Sequence, residues 1–107
     1  MRVCLLRPGE TAWNAQGRYL GRTDLPLTPA GRAALGPAGF APARVYVSPL
    51  RRTAETAEIL FPGVEQAAVP DFREMDFGVF EGRSWQDMED FAPYREWVDG
   101  GCRGPVP

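Results

Sequence analysis

Histidine and lysine are both absent from this 107-residue chain, and cysteine occurs only twice. Without histidine, no imidazole is available as a base, a nucleophile or a metal ligand. Without lysine, a Walker-type phosphate loop is excluded, because that loop depends on a Gly-Lys-Ser/Thr ending. Cys4 and Cys102 are too few for a disulfide framework. Neither lies in a Cys-x-x-Cys or Cys/His cluster, so no zinc site is expected. Long apolar runs are missing too. The N-terminal run Val3–Leu6 is far too short for a signal peptide or a membrane span. A net charge of -2 provides no basic field for nucleic acid and no polybasic membrane patch. A soluble chain in a reducing, cytoplasmic setting is expected, with neither nucleic acid nor membrane as partner.

What is present is mostly punctuation. Gly 12 and Pro 11 make up about a fifth of the residues, above average usage, and imply many turns and few long elements. The run Arg2–Arg7, stopped by Pro8-Gly9, reads as a buried strand, with Cys4 buried in it. Residues 8–27 are polar and glycine-punctuated, and read as a long functional loop with at most a helical turn. Thr28-Pro29 supplies an N-cap followed by proline at the first helical position, and Gly36-Pro37 keeps that helix short. Ala43–Val47 is a second strand. Ser48-Pro49 opens a helix with Leu50, Ala54, Ala57 and Leu60 on one face, and Pro62-Gly63 closes it. A third strand falls around Glu65–Val69. Ser84, with Asp87 three residues on, reads as the capping box of a last helix. Residues 1–99 then form one α/β unit with a mostly parallel sheet and flanking helices, and 100–107 a tail without order.

Three segments carry chemistry. The first begins Arg7-Pro8-Gly9-Glu10-Thr11-Ala12-Trp13-Asn14 and continues through Gly17-Arg18-Tyr19-Leu20-Gly21-Arg22-Thr23-Asp24-Leu25-Pro26-Leu27-Thr28. It combines an arginine fork, hydroxyl and amide donors and backbone-permissive glycines, the parts of a phosphate cradle; a solvated loop with an aromatic anchor has the same composition. The second, Ser48–Thr56, puts Arg51 and Arg52 in the first turn of a helix. Cations there oppose the helix dipole, and an anion bound between them and the helix amides reverses that penalty. The third, Phe72-Arg73-Glu74-Met75-Asp76-Phe77-Gly78-Val79-Phe80-Glu81-Gly82, sets carboxylates among aromatics. A carboxyl group placed against Met75, Phe77 and Phe80 would hold its proton more tightly, which suits a general acid.

In this order and at this spacing, the three segments resemble the histidine phosphatases, the phosphoglycerate-mutase-like superfamily. The likeness runs from about residue 1 to about residue 97. That family's first motif reads Arg-His-Gly-Glu-Thr/Ser, then Trp-Asn, Gly-Arg and an Asp-x-Pro-Leu turn. Its second is Ser-x-Leu-x-Arg before a helix, and its third a Glu followed by Gly-x-x-Glu-Gly. The Arg73–Gly78 run and Trp97 look most like the α-ribazole phosphatase branch. The resemblance implies part of a three-layer α/β fold with a mostly parallel sheet. It also implies phosphomonoester hydrolysis through a phosphohistidine, with no metal or organic cofactor. By position, Arg7 and Arg52 would bind the phosphoryl group, Asn14 and the Leu20-Gly21 backbone would line its pocket, and Glu74 would protonate the leaving alcohol. The implied partner is a small phosphorylated metabolite or inorganic phosphate.

The nucleophile position is Pro8. Proline favours extended geometry in the residue before it, so the backbone tolerates the substitution, but it has no side-chain nitrogen to accept a phosphoryl group. The family's second histidine, which follows a later strand, has no counterpart here. No substitute nucleophile is evident: Glu10 stands where the arginine of a Cys-x5-Arg loop would follow Cys4, Cys102-Arg103 has the wrong spacing, and no Asp-x-Asp pair occurs. Three readings therefore stand: an incomplete phosphatase domain without turnover, a phosphate-binding module without catalysis, and a gene product without function. The chain is expected to be marginal in isolation unless it forms a homodimer, since an open sheet edge and an apolar patch are liabilities.

Overall fold

The structure, a computed structural model, describes residues 1–106. It divides into two compact units, each assembled from two stretches of chain: Met1–Thr11 with Asp24–Arg73, and Ala12–Thr23 with Glu74–Pro107.

The first unit is built on a parallel strand pair, β1 (Val45–Val47) and β2 (Gln66–Ala68), with Val45 opposite Gln66 and Val47 opposite Ala68. Parallel neighbours require a crossover, and helix α3 (Arg51–Leu60) provides it. Both strands fall within the ranges that the apolar runs indicate. Ala57 is buried on the helix and Leu50 just before it, together with Leu27, Val47 and Phe61. Ala54 and Leu60 are half-buried, and the helix residues buried with Ala57 are Arg52 and Thr56, off the apolar face read from the 3.6-residue period. A short helix, α2 (Pro29–Ala33), begins as its sequence specifies: the Thr28 hydroxyl accepts the Gly31 amide at 2.9 Å, and proline occupies the first turn.

Arg2–Arg7 forms no strand, contrary to expectation. Among the described residues, nothing hydrogen-bonds to its backbone, and Val3, Leu5 and Leu6 are 74%, 93% and 57% exposed. Cys4 is exposed as well. An apolar run specifies a need for burial, but a strand also needs a partner for its N–H and C=O groups, and that partner is set by long-range pairing.

The second unit is organised around aromatic side chains. Phe80 and Met88 are fully buried and Trp97 nearly so, with Tyr19, Phe77, Phe91, Tyr94 and Val106 packed around them. The Phe80 ring lies 5.4 Å from Tyr94 and 5.5 Å from Trp97, within the range of favourable tilted and edge-on ring pairs. Burial and the 2.8 Å hydrogen bond to Tyr94 push the Tyr19 phenol up to about 12. A four-residue turn of helix, α1 (Ala12–Ala15), leads into Arg18, whose guanidinium lies 4.6 Å above the Trp13 ring.

Helix α4 (Ala92–Asp99) starts later than the capping box implies. The box itself forms: the Ser84 amide donates to Asp87 and the Asp87 amide to Ser84. Residues 85–90 continue as turns, with Met88 and Phe91 amides donating to carbonyls three residues back. The buried Met88 anchors this stretch in the core, and Pro93, in the first turn, sets the helix start at Ala92. Residues 100–106 carry turns, the Cys102 amide donates to the Trp97 carbonyl at 3.0 Å, and Val106 packs on the aromatic cluster. Pro107, the last residue of the anticipated tail, lies outside the described residues.

Candidate active site

In the first unit the two arginines differ in environment. Arg52, in the first turn of α3, is 5% exposed. Arg7 is exposed, and its guanidinium makes no hydrogen bond or ion pair among the described residues. Thr56 links the segment after Arg7 to the turn that bears Arg52. Its hydroxyl accepts the Gly9 amide at 2.9 Å and donates to the Arg52 carbonyl at 2.6 Å. One buried side chain therefore ties the Arg7-Pro8-Gly9 loop to the start of the helix. Thr56 lies within the second motif, but nothing in the local pattern distinguishes this hydroxyl from that of Thr53, which bonds to Ser48 and Leu50. Thr56→Val keeps the shape and removes both bonds. It should cost about 1–3 kcal/mol, because the Gly9 amide loses its acceptor. Urea unfolding monitored by circular dichroism measures the loss.

The anion anticipated at the start of α3 is supplied by the chain itself. The Arg51 amide donates to Asp24 Oδ1 at 2.7 Å, the Arg51 guanidinium donates to the Asp24 carbonyl, and Arg51 Nε lies 3.5 Å from Asp24 Oδ2. Asp24 thus does the capping that Ser48-Pro49 was expected to do, and Leu50, the residue at the cap position, makes no side-chain cap bond. The carboxylate offsets the unfavourable placement of cations beside the helix N-terminus. It is 27 residues distant in sequence, which puts it beyond any local signal.

In the second unit, Asn14 is exposed at the end of α1 and Leu20 is half-buried. Gly21 is buried tightly: a Cβ there would overlap the Met75 carbonyl and come within 2.8 Å of the Phe77 ring. Its amide donates to both oxygens of Glu81, at 3.1 and 3.0 Å, and the Thr23 amide donates to the same carboxylate at 3.2 Å. Glu74 is exposed, and its carboxylate makes no hydrogen bond or ion pair among the described residues. Its backbone carbonyl accepts from Arg22, which also pairs with Asp76 at 3.6 Å. The burial among Met75, Phe77 and Phe80 anticipated for this acid is therefore not what surrounds it. Phe80 points into the core, and Met75 is itself 40% exposed.

An arginine beside a helix start, a proline-glycine loop tied to it, and a Gly-x-x-Glu-Gly turn holding a glycine loop are the parts of a recognised fold. The Histidine phosphatase superfamily (branch 1) matches residues 3–105. The chain belongs to this family. It is 37% identical over its whole length to a probable phosphoglycerate mutase, GpmB, of Cronobacter sakazakii, covering 54% of that protein. Among solved structures, the α-ribazole phosphatase of Shigella flexneri superposes with a TM-score of 0.79 at 28% identity, over 94% of this chain and 55% of that one. The phosphoserine phosphatase of Entamoeba histolytica, solved with 3-phosphoglyceric acid, gives 0.75 at 30% identity, over 92% of this chain and 53% of that one. The fold is accordingly phosphoglycerate-mutase-like, α/β with a parallel strand pair. The chain spans about half the length of these relatives.

Proposed function

We propose that this chain binds the phosphoryl group of a small phosphomonoester, or inorganic phosphate, and does not turn it over through a phosphohistidine. The reading rests on one contrast. Arg52 is retained in a buried position, tied through Thr56 to the Arg7 loop, while the residue between Arg7 and Gly9 is proline and the 107 residues contain no histidine. Guanidinium groups bind phosphate oxygens in bidentate fashion and need no nucleophile to do so. Arg7 and Arg52, both in the first unit, are assigned to the phosphoryl group.

The relatives support a small ligand, since their names refer to phosphoglycerate, phosphoserine and α-ribazole. The Arg73–Gly78 run and Trp97 favour an α-ribazole phosphate type of ligand within that class, in keeping with the Shigella superposition. A cytoplasmic setting, suggested by two unpaired cysteines, belongs to the same proposal.

A ligand that binds only the folded state raises its apparent stability, by about 2.7 kcal/mol at a hundredfold excess over Kd. Inorganic phosphate should therefore raise the melting temperature of the chain in a saturable way, and Arg52→Met should abolish the shift. Hydrolysis of an aryl phosphate should stay at the buffer rate. A melt unmoved by phosphate would remove the binding reading, and hydrolysis above the buffer rate would remove the claim of no turnover.

A further inference from the structure

Helix α3 opens with two adjacent cations whose surroundings differ. Arg52 is 5% exposed and belongs to the phosphate-binding pair proposed above. Arg51 is 59% exposed at its side chain, and Asp24 holds it in three ways. The Arg51 amide donates to Asp24 Oδ1 at 2.7 Å, the guanidinium donates to the Asp24 carbonyl at 2.7 Å, and Nε lies 3.5 Å from Asp24 Oδ2. On α2, Arg32 is likewise engaged, with Glu55 Oε2 at 3.0 Å. These residues and Arg7 all belong to the first unit.

Charge then limits what the site can take. A phosphomonoester carries about −1.5 to −2 at neutral pH, which Arg7 and Arg52 together match. A second anionic group on the ligand would need a further cation. The nearest along the chain is Arg51, whose Cα is about 3.8 Å from that of Arg52. Its charge is already answered by Asp24. The same carboxylate takes the Arg51 amide, one of the first donors of the helix, so an anion approaching this end meets a carboxylate in place of an open N–H. Resting on the phosphate-binding reading, we infer that Asp24 is a specificity-determining residue: by occupying Arg51 it restricts the site to phosphomonoesters whose remaining part bears no second anionic group. The discrimination comes from a withheld partner rather than an added contact.

The test is calorimetric titration of glycerol 3-phosphate, 3-phosphoglycerate and inorganic phosphate into the chain and its Asp24→Asn and Arg51→Gln variants. The two esters differ by a carboxylate in place of a hydroxymethyl group. The parent chain should bind glycerol 3-phosphate roughly fivefold more tightly, the scale of one charge–charge contact in water. Asp24→Asn keeps an acceptor for the Arg51 amide and removes the charge that answers the guanidinium, so the preference should vanish or reverse. Arg51→Gln leaves Asp24 without its counter-charge, so the preference should widen; it decides the matter if Asp24→Asn does not fold. A purely structural role would shift both esters alike and could not move their ratio in opposite directions. Equal or tighter binding of 3-phosphoglycerate by the parent chain would overturn the inference while leaving phosphate binding in place. So would a preference that persists in Asp24→Asn or fails to widen in Arg51→Gln. A parent chain that binds neither ester nor inorganic phosphate would overturn both.

Discussion

Pro8→His should turn a chain that takes up no label from an aryl phosphate into one that carries an acid-labile phosphoryl group on residue 8. The imidazole nitrogen would attack phosphorus, the P–O bond to the phenol would break, and the phenolate would leave with the electron pair. A phenolate needs no proton to depart, so the reaction does not depend on Glu74. Removing the nucleophile from a catalytic unit costs on the order of 10⁶ in turnover, whereas charge stabilisation alone retains roughly 10³–10⁴ over water. Restoring one imidazole should therefore give a burst of up to one phosphoryl group per chain rather than fast turnover, because no second histidine assists its release. Radiolabel lost in acid and retained in alkali, located by mass spectrometry at residue 8, would establish it. A Pro8→His chain that still binds phosphate yet takes up no label would mean that residue 8 does not face the ligand.

The second large effect concerns stability. Phe80 is fully buried and contacts the rings of Phe91, Tyr94 and Trp97. Phe80→Ala removes most of a ring from this cluster and should cost about 3–5 kcal/mol, combining lost burial with the cavity left behind. Small proteins are typically stable by about 5–15 kcal/mol, so this single change removes a large share of the total. The aromatic bands of the near-ultraviolet circular dichroism spectrum should collapse at a temperature where the parent chain retains them. If Phe80→Ala melts within a few degrees of the parent, the cluster centred on Phe80 is not what holds this unit together.

Some of this architecture is legible in short windows of sequence and some is not, and the difference is one of range. Thr28-Pro29 announces a helix start because cap and helix lie within three residues, and the Thr28–Gly31 bond confirms it. The strands at 45–47 and 66–68 sit inside the runs that mark them, and α3 buries Ala57 of the face that its periodicity selects, with Arg52 and Thr56 buried off that face. The Arg2–Arg7 run misleads because a strand is a property of two segments, and the window shows one. The Ser84-Asp87 box misleads in another way: its hydrogen bonds form, but Met88 is held by the core and a helix does not follow. At the candidate site the arginines are visible as residue types, and the groups that fix their surroundings are not. Asp24, Thr56 and Glu81 act on partners 27, 47 and about 60 residues away. Each lies inside a recognisable motif, yet only the folded chain shows which amide it serves.

The interleaved connectivity of the two units has a consequence for how the chain can be made and broken. The sequence visits the first unit, then the second, then returns to each. No single scissile bond releases either unit whole, since every fragment from one cut lacks a piece of its own unit or carries a piece of the other. A protease nick within residues 12–73 would thus give two bands on a denaturing gel while leaving each unit with a share in both pieces. During synthesis the stretch 12–23 must wait on the ribosome for residues from 74 onward before its own unit can close.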